Sequence, residues 1–203
     1  MMQGRLFVIS GPSGAGKGTI CKELLKNEEL ELSISMTTRS PRGTEENGIS
    51  YYFVSHEEFS ETVEKGGLLE WAEIYGNRYG TPKAPVLEKL NMGKDVILEI
   101  EMQGALQVKR NYPQSILIFV LPPSMSVLKQ RLINRGTETE EQIALRSKTV
   151  LEEIRTIRDY DYFVVNGDLE DAVNKVRSII AAEHHRIEGQ ADDIIRKYES
   201  EEI

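Results

Sequence analysis

The chain has 203 residues, of which 39% are hydrophobic and 29% charged, and a formal net charge of −8. These values are ordinary for one globular domain with small insertions. The acidic balance disfavours a protein that coats nucleic acid or an anionic membrane, because both partners are negatively charged. We therefore expect no nucleic-acid and no membrane partner. Cys21 is the single cysteine, which excludes an intrachain disulfide and a cysteine-rich metal site, and we expect its thiol in the core.

Neither a secretory segment nor a membrane span is visible in the sequence. The opening apolar run at 6–9 is too short for a signal peptide. The longest apolar run, at 116–121, is far shorter than a membrane-spanning helix. A cytoplasmic location is the default expectation.

Short apolar runs predict buried strands at 6–9, 96–100, 116–121 and 163–165. They are continuous rather than alternating, which is typical of parallel strands covered on both faces. Segments with helical spacing of apolar residues lie between them. This alternation predicts an α/β fold in which helices flank a parallel sheet.

Two stretches interrupt the alternation. Residues 35–85 are too long for a simple crossover and contain a β-like run at 51–54 and a helix-like run at 57–65, which predicts an inserted lobe. Residues 134–146 are charged and contain a glycine, which predicts a short lid. The core would then consist of 1–34, 86–133 and 147–203.

A glycine-rich loop follows the first predicted strand and precedes a predicted helix. Its residues are Gly11, Pro12, Ser13, Gly14, Ala15, Gly16, Lys17, Gly18 and Thr19. In this context the backbone N–H groups and the helix N-terminus can surround phosphate oxygens, and the lysine contributes a mobile positive charge. The pattern predicts a P-loop that binds a nucleoside triphosphate; a purely structural glycine turn is the alternative.

The loop departs from the common pattern at one position. The hydroxyl residue that usually follows the lysine is replaced by Gly18, with Thr19 next. We therefore assign no protein ligand to Mg²⁺, and expect nucleotide oxygens and water to hold it, with Thr19 or Glu99 nearby.

Arg39 and Arg42 flank a proline within the predicted lobe. Two guanidinium groups at this spacing can converge on one phosphate, each through paired N–H donors. Taken alone, the pair could equally be a solvated surface feature.

Glu99 and Glu101 end the second predicted strand and would point to the same side. The carboxyl end of a parallel strand beside a phosphate loop is a ligand position, where magnesium, an arginine or ligand donors can compensate the charge. Solvation at the edge of the sheet is the alternative.

Over almost its whole length the chain resembles the guanylate kinase family. The resemblance is carried by the P-loop, Ser35–Gly43, Gly48–Val54, Leu69–Glu73, Asn77–Thr81, Asp159–Tyr162 and Val165–Asn166. It implies a P-loop NTPase-type core with an inserted GMP-binding lobe and a lid. It also implies reversible, Mg²⁺-dependent transfer of a phosphoryl group from ATP to GMP and dGMP, giving ADP and GDP, in purine nucleotide metabolism.

The resemblance also implies roles for individual residues. On the GMP side, the phosphate would be held by Arg39, Arg42, Tyr51 and Tyr79 and the base would be read by Ser35, Glu70 and Thr81. Glu99 and Glu101 are also assigned to the GMP-binding site. On the ATP side, the P-loop would be joined by Arg131 and Asn166. The catalytic candidates are Lys17, Arg39, Arg135 and Arg146, with Arg131, Arg135 and Arg146 acting as lid arginines.

The chemistry of guanine fits these assignments. Guanine presents two adjacent donors, which one carboxylate such as Glu70 can accept in parallel, and an acceptor that a hydroxyl of Ser35 or Thr81 can serve. Adenine would leave the carboxylate unpaired, which gives strong discrimination. Family members usually carry aspartate where this chain has Glu101, which is one methylene longer.

Two alternatives remain open at this point. One is a non-catalytic protein-binding module of the same fold, which would typically lack the lysine and glycines that are present here. The other is a kinase for AMP or dTMP, against which Glu70 argues. We assign no role to the three histidines, and the sequence does not determine the oligomeric state, the relative use of dGMP, regulation or the role of the tail after Gly189.

Overall fold

A five-stranded parallel sheet forms the centre of the molecule. The computed structural model describes residues 3–26, 30–74, 76–134 and 150–200. The strands are β1 (Leu6–Ser10), β2 (Leu30–Leu32), β7 (Asp95–Glu99), β8 (Ile116–Leu121) and β9 (Tyr162–Val165). Their order in the sheet is β2-β7-β1-β8-β9, and each neighbouring pair is parallel.

Successive residues of the central strands contribute to two separate hydrophobic clusters. Phe7 and Ile9 of β1 belong to one cluster, whereas Leu6 and Val8 belong to the other. Because successive side chains of a strand point to opposite faces, both faces of β1 are covered. This double burial explains why the strand appears in the sequence as a continuous apolar run.

Helices cover both faces of this sheet. One face is packed by α1 (Lys17–Leu24) and α6 (Leu169–His184), and the other by α3 (Lys83–Asn91) and α4 (Met102–Asn111). Further helices are α2 (His56–Glu64), α5 (Met125–Asn134) and α7 (Ala191–Ser200). Residues 150–155 are helical and lead into a 3₁₀ turn at Thr156–Asp159. The predicted α/β class with a helix-flanked parallel sheet is confirmed.

A second sheet is formed within the segment 35–85. Its four strands are β3 (Met36–Thr37), β4 (Tyr52–Phe53), β5 (Leu68–Ile74) and β6 (Asn77–Pro82), in the order β4-β3-β6-β5. The β5–β6 and β3–β6 pairs are antiparallel. The division into core, lobe and lid at the stated boundaries remains a prediction. Within the described ranges, no helix has the length and apolar character needed to cross a membrane.

Candidate active site

The loop between β1 and α1 has a backbone that only glycine adopts easily. Gly11 has φ 139° and Gly16 has φ 91°. A Cβ atom on Gly11 would lie 2.3 Å from the Val120 carbonyl oxygen, and one on Gly16 would lie 2.3 Å from Asn166 Nδ2. These positions therefore exclude side chains, and the backbone N–H groups at the start of α1 provide a site for phosphate oxygens.

Two of the residues expected on the ATP side lie against this loop. The Ala15 carbonyl accepts hydrogen bonds from Asn166 Nδ2 at 2.8 Å and from Arg131 Nη1 at 3.5 Å. Arg131 Nη2 also donates to the Asn166 carbonyl at 2.9 Å. Lys17 Nζ donates to the carbonyls of Gly11 and Pro12 at 2.6 and 3.2 Å. The contacts of Arg131 and Asn166 brace the phosphate loop from the side of α5 and β9.

One cavity brings the phosphate loop together with both predicted carboxylates. Glu99 ends β7 and pairs in register with Ile9 of β1, and Glu101 occupies the N-cap position of α4. Thr19 is exposed on α1 and does not line the cavity. The lining residues are Gly11, Ser13, Gly14, Gly16, Lys17, Gly18, Glu99, Glu101, Met102 and Glu153.

The absence of a side chain at Gly18 brings the loop close to Glu99. A Cβ atom at position 18 would lie 3.2 Å from Glu99 Oε1. Burial raises the pKa of Glu99, and the positive charge of Lys17 partly offsets that rise. Burial also raises the pKa of the neighbouring Cys21 thiol to about 12, with Glu99 as a second cause, so the thiol stays protonated and inert.

The oxygen donors of this cavity suit a magnesium ion that the nucleotide brings with it. Mg²⁺ prefers oxygen ligands such as carboxylates. The ion usually keeps several of its waters and binds to only one or two protein carboxylates, together with phosphate oxygens of the substrate. Within 3–26, 30–74, 76–134 and 150–200, no group of three or more His, Cys, Asp and Glu side chains could hold a metal by itself. The donor set therefore fits a metal that is shared with phosphate oxygens.

The base-reading candidates Glu70 and Thr81 face each other across β5 and β6. Both are buried, and the Thr81 hydroxyl donates to Glu70 Oε1 at 2.7 Å. Burial raises the pKa of Glu70, the bond from Thr81 opposes that rise, and the charge of Glu101 adds to it. A Cβ atom on Gly104 of α4 would lie 2.9 Å from Glu70 Oε2. The carboxylate is thus packed tightly between the second sheet and the start of α4.

The phosphate-binding candidates cluster at the other end of the second sheet. The guanidinium of Arg39 lies 5.4 Å from the ring centre of Tyr51 and 5.9 Å from that of Phe53. The rings of Tyr51 and Tyr79 meet edge to face at 6.1 Å. The Arg42 side chain is exposed on the loop that follows Arg39.

The remaining predicted site residues fall in different places. Ser35 is half-buried just before β3, and its carbonyl accepts a hydrogen bond from Tyr52 N at 2.9 Å. Arg135, Arg146 and nearly all of the predicted lid lie outside the described residues.

Comparison with known proteins assigns the family. The sequence model named "Guanylate kinase" matches residues 3–183. The chain belongs to the guanylate kinase family. It is 55% identical to a guanylate kinase of Clostridium tetani, covering 96% of this chain and 94% of the relative. It is 52% identical to one of Clostridioides difficile, covering 98% of each.

A solved member of the guanylate kinase family shares the fold. The crystal structure of the guanylate kinase from Anaplasma phagocytophilum aligns with a TM-score of 0.71 and 33% identity. The alignment covers 91% of this chain and 88% of that one. The likeness therefore includes most of the core and the second sheet rather than the P-loop alone.

Sequence reasoning missed two residues that shape this candidate site. Gln107 of α4 exchanges hydrogen bonds with the backbone N–H and carbonyl of Trp71 at 3.1 and 3.2 Å, and Asn111 Nδ2 donates to the Leu69 carbonyl at 2.8 Å. These bonds attach β5 to the core. Neither residue belongs to a recognisable motif, and polar residues on a helix usually face water, so no local signal marks them.

Proposed function

We propose that this chain catalyses transfer of the γ-phosphoryl group of ATP to GMP, giving ADP and GDP. The observation that carries the proposal is the buried Glu70 carboxylate, held by Thr81 and near Glu101, which itself lines the same cavity as the phosphate loop. A carboxylate buried in this way is stabilised by hydrogen-bond donors to its oxygens, and guanine offers two adjacent donors.

The reaction requires positioning and charge neutralisation more than covalent chemistry. The acceptor phosphate is its own nucleophile, because its second pKa is about 6 and it is largely ionised at neutral pH. The phosphate loop and Lys17 would hold the β- and γ-phosphates of ATP. Arg39 and Arg42, with the hydroxyls of Tyr51 and Tyr79, would hold the phosphate of GMP.

The catalytic arginines Arg135 and Arg146 would act from the lid, neutralising the transferred group and excluding water. Arg131 and Asn166 would support the triphosphate site through Ala15. Mg²⁺ would be held by nucleotide oxygens and by waters that donate hydrogen bonds to Glu99 and Glu101. The metal would neutralise charge on the phosphate oxygens.

The function is tested by measuring ADP release from ATP with a panel of GMP, dGMP, AMP, UMP and dTMP. We expect GMP to support the fastest turnover and AMP to be at least about a thousandfold poorer in kcat/KM, because adenine leaves Glu70 unpaired. Faster turnover with AMP, UMP or dTMP would refute the assignment of guanine. No ADP release with any acceptor would favour a binding module instead.

A further inference from the structure

Glu45 lies at the centre of the loop that carries the two phosphate-binding arginines. Its Oε2 accepts hydrogen bonds from Arg39 Nη1 at 2.9 Å and from the Arg42 backbone N–H at 2.8 Å. Its Oε1 accepts from Arg39 Nη2 at 3.0 Å. The Glu45 backbone N–H in turn donates to the Arg42 carbonyl at 3.0 Å. One carboxylate thus fixes both the side chain of Arg39 and the backbone of Arg42.

The donors of Arg39 can be counted. A guanidinium has five N–H groups. In the described part of the chain, two go to Glu45 and one, from Nη1, goes to the Ser40 carbonyl at 2.7 Å. Those bonds occupy the end of the guanidinium, whereas the Nε–H and the second Nη2–H lie along its side, and the Tyr79 hydroxyl is a further hydrogen-bonding neighbour of Arg39. Two parallel donors of this kind match two oxygens of a phosphate.

Aromatic residues lie beside the guanidinium that carries those donors. Tyr51 and Phe53 lie close to the guanidinium of Arg39, whose side chain is only 10% exposed. Glu45 is the main cause that raises the pKa of Arg39, and the hydroxyl of Tyr79 contributes as well. Tyr79 is itself a candidate ligand of the acceptor phosphate. Arg39 is therefore oriented before any ligand binds.

We propose that Glu45 is a positioning residue for the acceptor phosphate, holding Arg39 by the end of its guanidinium so that the side is presented to GMP. This inference rests on the proposed function. In the opposite role, the Glu45 carboxylate would occupy the position of the GMP phosphate, and GMP would have to displace it. Displacement would break three hydrogen bonds, including the one to the Arg42 backbone. Arg39, followed by the Arg42 backbone N–H, lowers the pKa of Glu45, which keeps it charged at neutral pH.

The test is calorimetric binding of GMP and of guanosine, without ATP, to the full chain and to Glu45→Gln. We expect the variant to bind GMP about tenfold more weakly, because Arg39 loses its fixed orientation and ordering it on binding costs free energy. Guanosine, which lacks the phosphate, should bind both proteins equally. Glu46→Gln is the matched control, since it removes the same charge at the adjacent, exposed position and should leave both affinities unchanged.

Each other outcome contradicts the proposal. Tighter GMP binding by Glu45→Gln would make Glu45 a displaced stand-in, and unchanged binding would leave it without a role. Equal losses of affinity for GMP and guanosine would indicate general damage to the lobe and not a role at the phosphate.

A second variant, Glu45→Asp, keeps the charge on a shorter side chain and should give an intermediate loss of affinity for GMP alone. If the unaltered chain binds no GMP, the proposed function fails before this inference is reached.

Discussion

At the scale of single residues, Glu70 combines an unfavourable environment with the chemistry that GMP requires. Burial raises the pKa of its carboxyl group, so the charged form is disfavoured while the site is empty. Guanine would supply two donors to that charge. The same carboxylate therefore lowers the stability of the free protein and contributes free energy when guanine binds. Such a conflict between stability and function is common at functional sites.

This conflict predicts that Glu70→Gln stabilises the free protein while weakening GMP binding. Because the pKa of Glu70 is raised in the folded chain, the stability it contributes is present below its unfolded pKa and is lost as pH rises through the folded value. The two proteins should therefore be equally stable below about pH 4. At about pH 8 the variant should be more stable by about 1 kcal/mol, measured by urea unfolding.

The same variant should bind GMP about a hundredfold more weakly at neutral pH, because its amide turns a donor towards the guanine donors. Binding to the unaltered protein should itself weaken as pH falls through the raised pKa of Glu70. Glu73→Gln, on the exposed side of β5, is the control and should change neither property. A stability difference that does not vary with pH would show that burial of the charge is not its cause.

At the scale of secondary structure elements, the phosphate loop depends on its contact with the end of β9. Gly16 has both a left-handed backbone and no room for a side chain beside Asn166, whereas Gly189 has φ 77° with open space around it. Comparing alanine variants at these two positions therefore distinguishes the effect of backbone strain from the effect of steric crowding.

Gly16→Ala should destabilise the chain by about 2 kcal/mol or more and lower kcat/KM for ATP at least about tenfold, since the new methyl group displaces Asn166 from Ala15. Gly189→Ala should cost about 1 kcal/mol and leave ATP kinetics unchanged. Thermal unfolding of both variants measures the change in stability, and steady-state kinetics measure the change in kcat/KM for ATP. Equal kinetic effects would mean that the Asn166 contact has no bearing on the nucleotide.

Individual elements show how far the sequence could predict this structure. The runs at 6–9 and 116–121 predicted β1 and β8 almost to the residue, because strands buried on both faces must be apolar throughout. The strands β5 and β6, which carry Glu70, Tyr79 and Thr81, were not predicted, because their exposed and functional residues interrupt the apolar pattern. The second strand was predicted to end at Ile100, but β7 ends at Glu99, and Glu101 instead occupies the N-cap position of α4.

The site shows the same limit for a different reason. The P-loop is defined by the spacing of neighbouring residues, so residues 11–18 could be predicted from the sequence motif alone. Glu45 could not, because it is one of several polar residues between Arg42 and Gly48, and only the turn brings it onto Arg39. His184 was assigned no role, whereas its Nε2 lies 2.6 Å from Asp95 Oδ2, a contact across 89 positions of sequence that no local pattern indicates.

At the scale of the whole molecule, hydrogen bonds from α4 attach the edge strand β5 of the second sheet to the core. Gln107 and Asn111 hold β5 against α4, while β3 and β4 lie farther along the sheet towards its other edge. The part of the lobe that carries Glu70 is thus fixed to the core. The loop with Arg39 and Arg42 lies at the opposite edge, which we expect to move when ligands bind.

Hydrogen exchange should show this asymmetry. With ADP and GMP bound together, which prevents turnover, exchange should slow across 35–85 and more strongly at 38–54 than at 68–74, because closure orders the free end of the lobe. Residues 116–121 in the buried core are the internal control. The same measurement across 134–146 tests the predicted lid, and equal exchange with and without nucleotides would rule out closure.

The position of Gly104 limits how this protein can change over evolution. A methyl group there would meet Glu70 Oε2 at 2.9 Å, and that oxygen can move only by turning the carboxylate from the place where guanine would need it. We therefore expect replacement of either the glycine or the glutamate alone to alter the base preference. A lineage that acquires another acceptor base should change Glu70 first, after which position 104 becomes free to vary.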